Sequence, residues 1–254
     1  MKSLVIEERK IQGIKELKIR TRHKLERFLQ SGQSLSQRVV RGGIWVFAFR
    51  ITRRILGMGR TIILARLLSP SDFGLMGIAG LALSALDIFS RTGFGTALIQ
   101  KKEDTDKYLN TAWTISVLRG VVLFAILFFS APLIAVFFKN AEVTPILKVI
   151  AISFPLGGLT NIGIIYFQKE LDFGKQFIYQ LSRTIADITV SITLAFILRN
   201  VWALVYGMLA GCIVGFVISY FLHPYRPRIS LDFKKAKELF SFGKWILGSS
   251  ILIF

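Results

Sequence analysis

Gly43–Ala65 reads GIWVFAFRITRRILGMGRTIILA. The stretch has the length of a membrane-spanning helix, yet it carries Arg50, Arg53, Arg54 and Arg60. On an insertion scale four central arginines cost about 10–14 kcal/mol, whereas the Leu, Ile, Phe and Val residues around them return only about 3–6 kcal/mol. Alone, such a segment does not belong in lipid. At about 100° per residue, however, the four arginines fall within an arc of about 120° with Gly57 near its centre. One side of the helix is therefore a cationic stripe and the other an ordinary apolar surface. A cationic stripe at membrane depth has to face protein or a water-filled cavity, so the rest of the chain is expected to wall that cavity. Arg50, near the start of the run, can alternatively snorkel to the interface; Arg54 and Arg60 fit that reading less well.

The composition agrees with a membrane protein. The chain has 254 residues, 53% of them hydrophobic, with 22 Phe and a mean hydropathy of +0.56. That excludes an ordinary water-soluble domain and fits a polytopic membrane protein. The net charge of +18 would suit nucleic acid, but its distribution argues against that partner. With the N-terminus assigned to the cytoplasm, the inside segments carry 21 Lys and Arg, and the outside loops carry only Arg66, Lys139 and Arg199. This is the positive-inside pattern, and it sets the expected orientation. The lone cysteine, Cys212, rules out a disulfide or a Cys-based metal site within the chain. No secretory signal peptide is read at the start, because about 40 residues rich in charge precede the first apolar run.

The expected organisation is a basic cytoplasmic tail (1–42), a six-helix transmembrane lobe (43–222), a cytoplasmic linker (223–242) and the start of a second lobe (243–254). The tail holds eleven Lys and Arg against four Glu; it reads either as a weakly amphipathic helix on an anionic membrane surface or as a solvated arm. The first span is the Arg-bearing helix. It ends at Ser69-Pro70-Ser71-Asp72, where Pro and a capping side chain start the next helix. The second span, about 73–98, carries Asp87 and Arg91 one turn apart. The third, about 109–138, holds Arg119 and a potential kink at Pro132. The fourth, about 145–167, has Pro155, Gly157 and Gly158 at its middle as bending points. The fifth, about 177–198, carries Arg183 and Asp187 one turn apart. The sixth, about 201–222, presents Gly207, Gly211 and Gly215 as a helix-packing row. A seventh apolar run opens at Gly243, and Gly243-Lys244-Trp245 echoes Gly43-Ile44-Trp45. Either the echo is fortuitous, or a second repeat starts there; a run of twelve residues is too short to span, which favours a second repeat that is incomplete here.

Each carboxylate–arginine pair, Asp87/Arg91 and Arg183/Asp187, has two readings. It is a neutralised pair tying helices together, or a switch in which the carboxylate takes up a proton or sodium ion and releases its arginine to an anionic substrate. Arg119 has no acidic neighbour within one turn and is either an interface residue or a further cavity cation. Asp104-Thr105-Asp106 has the D-x-D form of nucleotide-sugar sites, but it lies in a short loop. No zinc-protease, P-loop or nucleophile-elbow pattern appears, and His23 and His223 lie outside the spans. No metal site and no cofactor is expected.

Several stretches resemble, in order, the polysaccharide-export (Wzx-type) flippases of the MOP superfamily. They are Leu64–Gly74 (LARLLSPSDFG), Ala97–Lys102 (ALIQKK), Phe167–Phe173 (FQKELDF), Val201–Leu204 (VWAL) and Phe242-Gly243. The resemblance covers about residues 40–254 and implies an inner-membrane transporter with two lobes around a cationic cavity. Such proteins move undecaprenyl-pyrophosphate-linked oligosaccharide to the outer leaflet. Arg54-Ile55-Leu56-Gly57-Met58-Gly59-Arg60 is also similar to the R-x-L-G-x-x-R stretch of lipid II flippases, which implies a substrate-binding role for Arg54 and Arg60. Those flippases use a further arginine midway along the second helix. Here that stretch reads Leu86-Asp87-Ile88-Phe89, leaving Arg91 as a displaced substitute.

The expectation is thus an all-α polytopic flippase, not an enzyme. Arg50, Arg53, Arg54, Arg60, Arg91, Arg119 and Arg183 are its candidate substrate-binding residues, and Asp87 and Asp187 its candidates for ion coupling. Lipid-linked oligosaccharide, membrane lipids and polysaccharide-assembly proteins such as a polymerase are the expected partners. The alternatives are a membrane enzyme acting on polyprenyl phosphates, which would need Asp104 and Asp106, and a non-transporting scaffold.

Overall fold

The computed structural model of the chain describes residues 35–90, 106–170 and 172–233, together with 236 and 237. The tail up to residue 34, Arg91, Asp104 and the apolar run from Gly243 lie outside the described residues. The chain divides into two compact units, Met1–Ala48 and Phe49–Phe254; the packing that follows belongs to the second.

Every regular element among the described residues is helical. The Arg-bearing helix α1 runs Leu35–Leu67 and stops where Ser69 and Pro70 begin the next helix, α2 (Pro70–Ser90). The start of α2 is a capping box. Ser69 Oγ accepts from the Asp72 amide at 3.3 Å, and the Asp72 carboxylate accepts from the Ser69 amide at 2.9 Å. Pro70 occupies the first helical position, where its missing N–H has no intrahelical partner to lose. Helix α3 (Asp106–Phe137) continues through Pro132. Two more long apolar helices follow among the described residues, α7 (Phe173–Leu198) and α8 (Trp202–Leu222).

The fourth apolar run departs from the single span read in the sequence. It is broken into α4 (Val143–Ile150), α5 (Ser153–Leu159), a 3-10 turn (Ile162–Ile164) and α6 (Ile165–Lys169), with a bend of 70° between its two halves. Proline chemistry explains the first break. Pro155 has no N–H for the Ala151 carbonyl and its ring crowds that carbonyl, so α4 ends and α5 restarts with Pro155 in its first turn. The second break falls at Thr160-Asn161, both in extended conformation. Among the described residues four helices, α2, α3, α7 and α8, are long and apolar enough to cross a membrane, and the bent pair would make a fifth. The arginines keep α1 off that count, although its 33 residues are ample.

Two close approaches hold the helices together. On α3 and α5 the backbones touch: a Cβ on Gly120 would lie 2.7 Å from the Phe154 carbonyl oxygen, and one on Gly158 would lie 2.6 Å from that of Ser116. On α7 and α8 the glycine row does the work foreseen for it. A Cβ on Gly211 would lie 3.3 Å from the Asp187 Cβ, one on Gly215 2.7 Å from the Arg183 Cδ, and one on Gly207 would strike the Ser191 hydroxyl. Thus α8 gives up side chains where α7 carries its polar row, Arg183, Asp187 and Ser191. The largest apolar core gathers Leu75 and Ala79 of α2, Leu127 and Ala131 of α3, Ile146 and Leu147 of α4 and Val205 of α8.

After α8 the chain runs extended from His223 and is fastened to α3. The Arg228 and Ser230 amides donate to Asn110 Oδ1 at 2.9 Å and Thr114 Oγ1 at 3.0 Å, and the Tyr225 hydroxyl adds a 2.6 Å bond to Asn110. Fully buried Asn161 completes this strap: its Nδ2 donates to the Tyr225 carbonyl at 2.7 Å, and its Oδ1 accepts from the Gly163 amide at 2.9 Å. Asn161→Ala removes both bonds and leaves the buried Gly163 amide without its acceptor, while the Tyr225 carbonyl keeps its bond from Arg226 Nη1 at 3.1 Å. The expected loss is about 2–3 kcal/mol, seen as a lower unfolding temperature in detergent and faster protease cutting after Tyr225.

Candidate functional site

Helix α1 meets α7 along one edge. The Phe49 ring stands edge-on to Phe177, with centroids 6.0 Å apart, and Leu64 and Leu68 pack with Ala195 of α7 and with Ala203 and Leu204. Between these apolar contacts sits Arg60, which turns into the lobe. Arg60 Nη2 donates to Asp187 Oδ1 and to Ser191 Oγ, both at 3.0 Å, and the Ser191 hydroxyl donates to Asp187 Oδ1 at 3.1 Å. Asp187 therefore takes its arginine from α1, and no ion pair joins it to Arg183 one turn away. Arg183 lies instead over the Tyr179 ring, 5.8 Å from its centroid.

A second cluster of the same composition ties α2 to α3. Arg119 Nη2 donates to Asp87 Oδ1 at 2.6 Å and to Ser90 Oγ at 2.9 Å, and Arg119 Nε also reaches Ser90 Oγ at 3.2 Å. The acidic partner that Arg119 lacks on its own helix comes from its neighbour. In both clusters an arginine from one helix meets an aspartate and a serine one turn apart on another, so the charge is compensated within the protein.

The remaining arginines of the stripe behave differently. Arg50, Arg53 and Arg54 are exposed and make no ion pair among the described residues. On the far side of the same helix Ile51, Ile55, Met58 and Ile62 are also exposed, the apolar flank expected of lipid-facing surface. The seven candidate arginines thus sort into an open group (Arg50, Arg53, Arg54), two compensated residues (Arg60, Arg119), Arg183 on its tyrosine, and Arg91 outside the described residues. Ser90 and Ser191 were not singled out in the sequence, although each follows its aspartate by one turn, a spacing that gives a hydroxyl the reach to share its arginine. Lys148 was also passed over within the fourth apolar run; its Nζ lies 5.0 Å from the Phe128 ring centroid.

The arrangement is a cationic, exposed face on α1 beside an Arg60–Asp187–Ser191 cluster that joins α1 to α7. A family model described as "Polysaccharide biosynthesis protein" matches residues 63–254. The chain belongs to this family. The match opens three residues beyond Arg60, so the arginine stripe rests on its own geometry. Among relatives, the chain is 24% identical over 225 residues to the lipopolysaccharide biosynthesis protein WzxC of Escherichia coli (strain K12), covering 86% of this chain and 45% of that protein. It is 24% identical over 221 residues to the teichuronic acid biosynthesis protein TuaB of Bacillus subtilis, covering 86% and 46%. It is 22% identical over 193 residues to the succinoglycan biosynthesis transport protein ExoT of Rhizobium meliloti, covering 76% and 39%. The chain therefore spans less than half the length of these relatives. No solved structure matches it. The resemblance to polysaccharide-export proteins holds, and the apolar helices make this family member a multi-pass membrane protein.

Proposed function

We propose that this chain is the N-terminal part of a flippase that carries undecaprenyl-pyrophosphate-linked oligosaccharide across the bacterial inner membrane for cell-surface polysaccharide synthesis. Its N-terminus is cytoplasmic. Helix α1, excluded from the apolar count by its charge, is the first of six spans, with the broken α4–α6 run as the fourth and a seventh beginning near Gly243. The observation that carries the reading is the open arginine group on α1. Arg50, Arg53 and Arg54 present cations at membrane depth with no protein counter-charge among the described residues, as a site awaiting an anion requires. Their forked donors suit the pyrophosphate, while the prenyl chain stays in lipid and the glycan occupies the wet cavity. Arg60 pairs with Asp187, Arg183 lies one turn from Asp187 on α7, Arg119 braces α2 to α3, and Arg91 is a further candidate outside the described residues. Asp87 and Asp187 are the carboxylates available for proton or sodium coupling. Assembly proteins such as a polymerase receive the product.

The test is export of lipid-linked oligosaccharide in cells deleted for their own exporter, with this sequence carried in a protein of the relatives' full length. A charge-assisted hydrogen bond contributes about 1.5–3 kcal/mol, so replacing Arg50, Arg53 and Arg54 together by Ala is expected to lower export at least tenfold. Lys139→Gln, in an exposed loop, serves as the control. Undiminished export by the triple variant overturns the assignment.

A further inference from the structure

We propose that Asp187, steadied by Ser191, is an internal stand-in for the substrate's phosphate, holding Arg60 until the anionic substrate displaces it. The inference rests on the flippase reading above and names how its site is regulated. The two arginine clusters differ in how completely the guanidinium is used. Arg119 commits its whole Nε/Nη2 edge to the protein, with Nε on Ser90 and Nη2 on both Ser90 and Asp87. Arg60 commits only Nη2, and its Nε is buried without any hydrogen-bond partner. A desolvated guanidinium N–H without an acceptor is an unfavourable state, and a planar guanidinium is best satisfied by an oxyanion that takes Nε and Nη2 together. The carboxylate neutralises Arg60 through a single oxygen and leaves the other donor idle, so a phosphate that engages both is the better ligand. Its neighbours favour exchange. Arg54 and Arg53 stand six and seven residues back along the same helix, both nearly two turns away, exposed and without ion pairs among the described residues. Arg53 and Arg60 lie on the same side of the helix, about 20° apart around its axis, so an anion held by Arg53 is presented along the side that carries Arg60. Arg119, saturated by its own serine and aspartate, stays in place and keeps α2 on α3 while Arg60 changes partner. Displaced Asp187 keeps its hydrogen bond from Ser191, so the carboxylate is not orphaned when the arginine leaves.

The experiment is binding of inorganic pyrophosphate and of a short-chain prenyl pyrophosphate to the purified chain in lipid nanodiscs, by calorimetry. Asp187→Asn keeps the shape and a hydrogen-bond acceptor but removes the competing charge. It is expected to tighten binding of both probes by about tenfold, equivalent to about 1.4 kcal/mol. The gain should vanish when Arg60→Ala is added, and Lys139→Gln should leave affinity unchanged. Where Asp187→Asn fails to yield folded protein, Ser191→Ala loosens the same cluster with the carboxylate intact and is expected to tighten binding by a smaller factor. Unchanged or weaker binding by these variants, with the unaltered chain still binding pyrophosphate, overturns the stand-in role and leaves the flippase reading in place. Absence of pyrophosphate binding by the unaltered chain overturns both.

Discussion

Gly158→Val is expected to leave no folded lobe. The Cβ alone would lie 2.6 Å from the Ser116 carbonyl oxygen and 3.0 Å from the Val117 Cα, and both obstacles are backbone, which no rotamer change moves aside. Separating α3 from α5 enough to admit the valine also opens the reciprocal contact at Gly120, because the Phe154 carbonyl and Pro155 press against it from the same crossing. Overpacking a core by added methyl groups costs about 1–3 kcal/mol where neighbours can shift. Here the shift has to be made by two helices, so the cost lies at or beyond the top of that range. The measurement is the yield of monodisperse protein in detergent and its unfolding temperature. Gly157→Val is the matched control, since nothing lies within 4 Å of a Cβ at that position. Equal yields for the two variants would mean that α5 does not cross α3 at this point.

Asp87→Leu is expected to be the most damaging loss of a single charge, and Arg119→Met together with it to recover most of the damage. Removing the carboxylate leaves the guanidinium within a span with only the Ser90 hydroxyl and the Asp87 backbone carbonyl as partners. An uncompensated arginine at the centre of a span costs about 2.5–3.5 kcal/mol. The side chains keep 29% exposure at Arg119 and 45% at Asp87, so the lower end of that range is expected. Replacing both charges by apolar groups removes the desolvation problem altogether, as for other buried pairs. Unfolding of the two single variants and the double in detergent gives the coupling directly. A double variant no more stable than Asp87→Leu would show that Asp87 stabilises the lobe through something other than Arg119. Restored stability with lost export, in the full-length setting, would give the Asp87–Arg119 pair a part in transport beyond holding α2 on α3.

The helical class and the junction between the first two helices were legible in the sequence because they follow from local chemistry. Ser69, Pro70 and Asp72 specify a helix start whatever lies around them, and the Gly207, Gly211 and Gly215 row announces a close packing face without naming its partner. The two ion pairs that join helices among the described residues, Arg60–Asp187 and Arg119–Asp87, were not legible. Spacing along one helix suggested Arg183 for Asp187, but the choice between an arginine one turn away and one on another helix depends on which faces meet, and that is decided by packing. The same reasoning explains Arg119, whose carboxylate could be found only across the α2–α3 contact. The broken fourth span was half legible. Pro155 signalled a disturbance, but the second break at Thr160-Asn161 comes from the Asn161 side chain bonding to Gly163 and Tyr225, the latter a contact across more than sixty residues.

The strap after α8 has a mechanical consequence. An extended chain advances about 6.6 Å in two residues, and a helix about 6.0 Å in four, so the amides of Arg228 and Ser230 fall in step with Asn110 and Thr114 on α3. The segment is geared to that helix, and slipping by one residue disengages both teeth at once. A pull applied beyond residue 230 is therefore delivered to α3, the helix that also carries Arg119 and the Gly120 crossing, before it reaches α8.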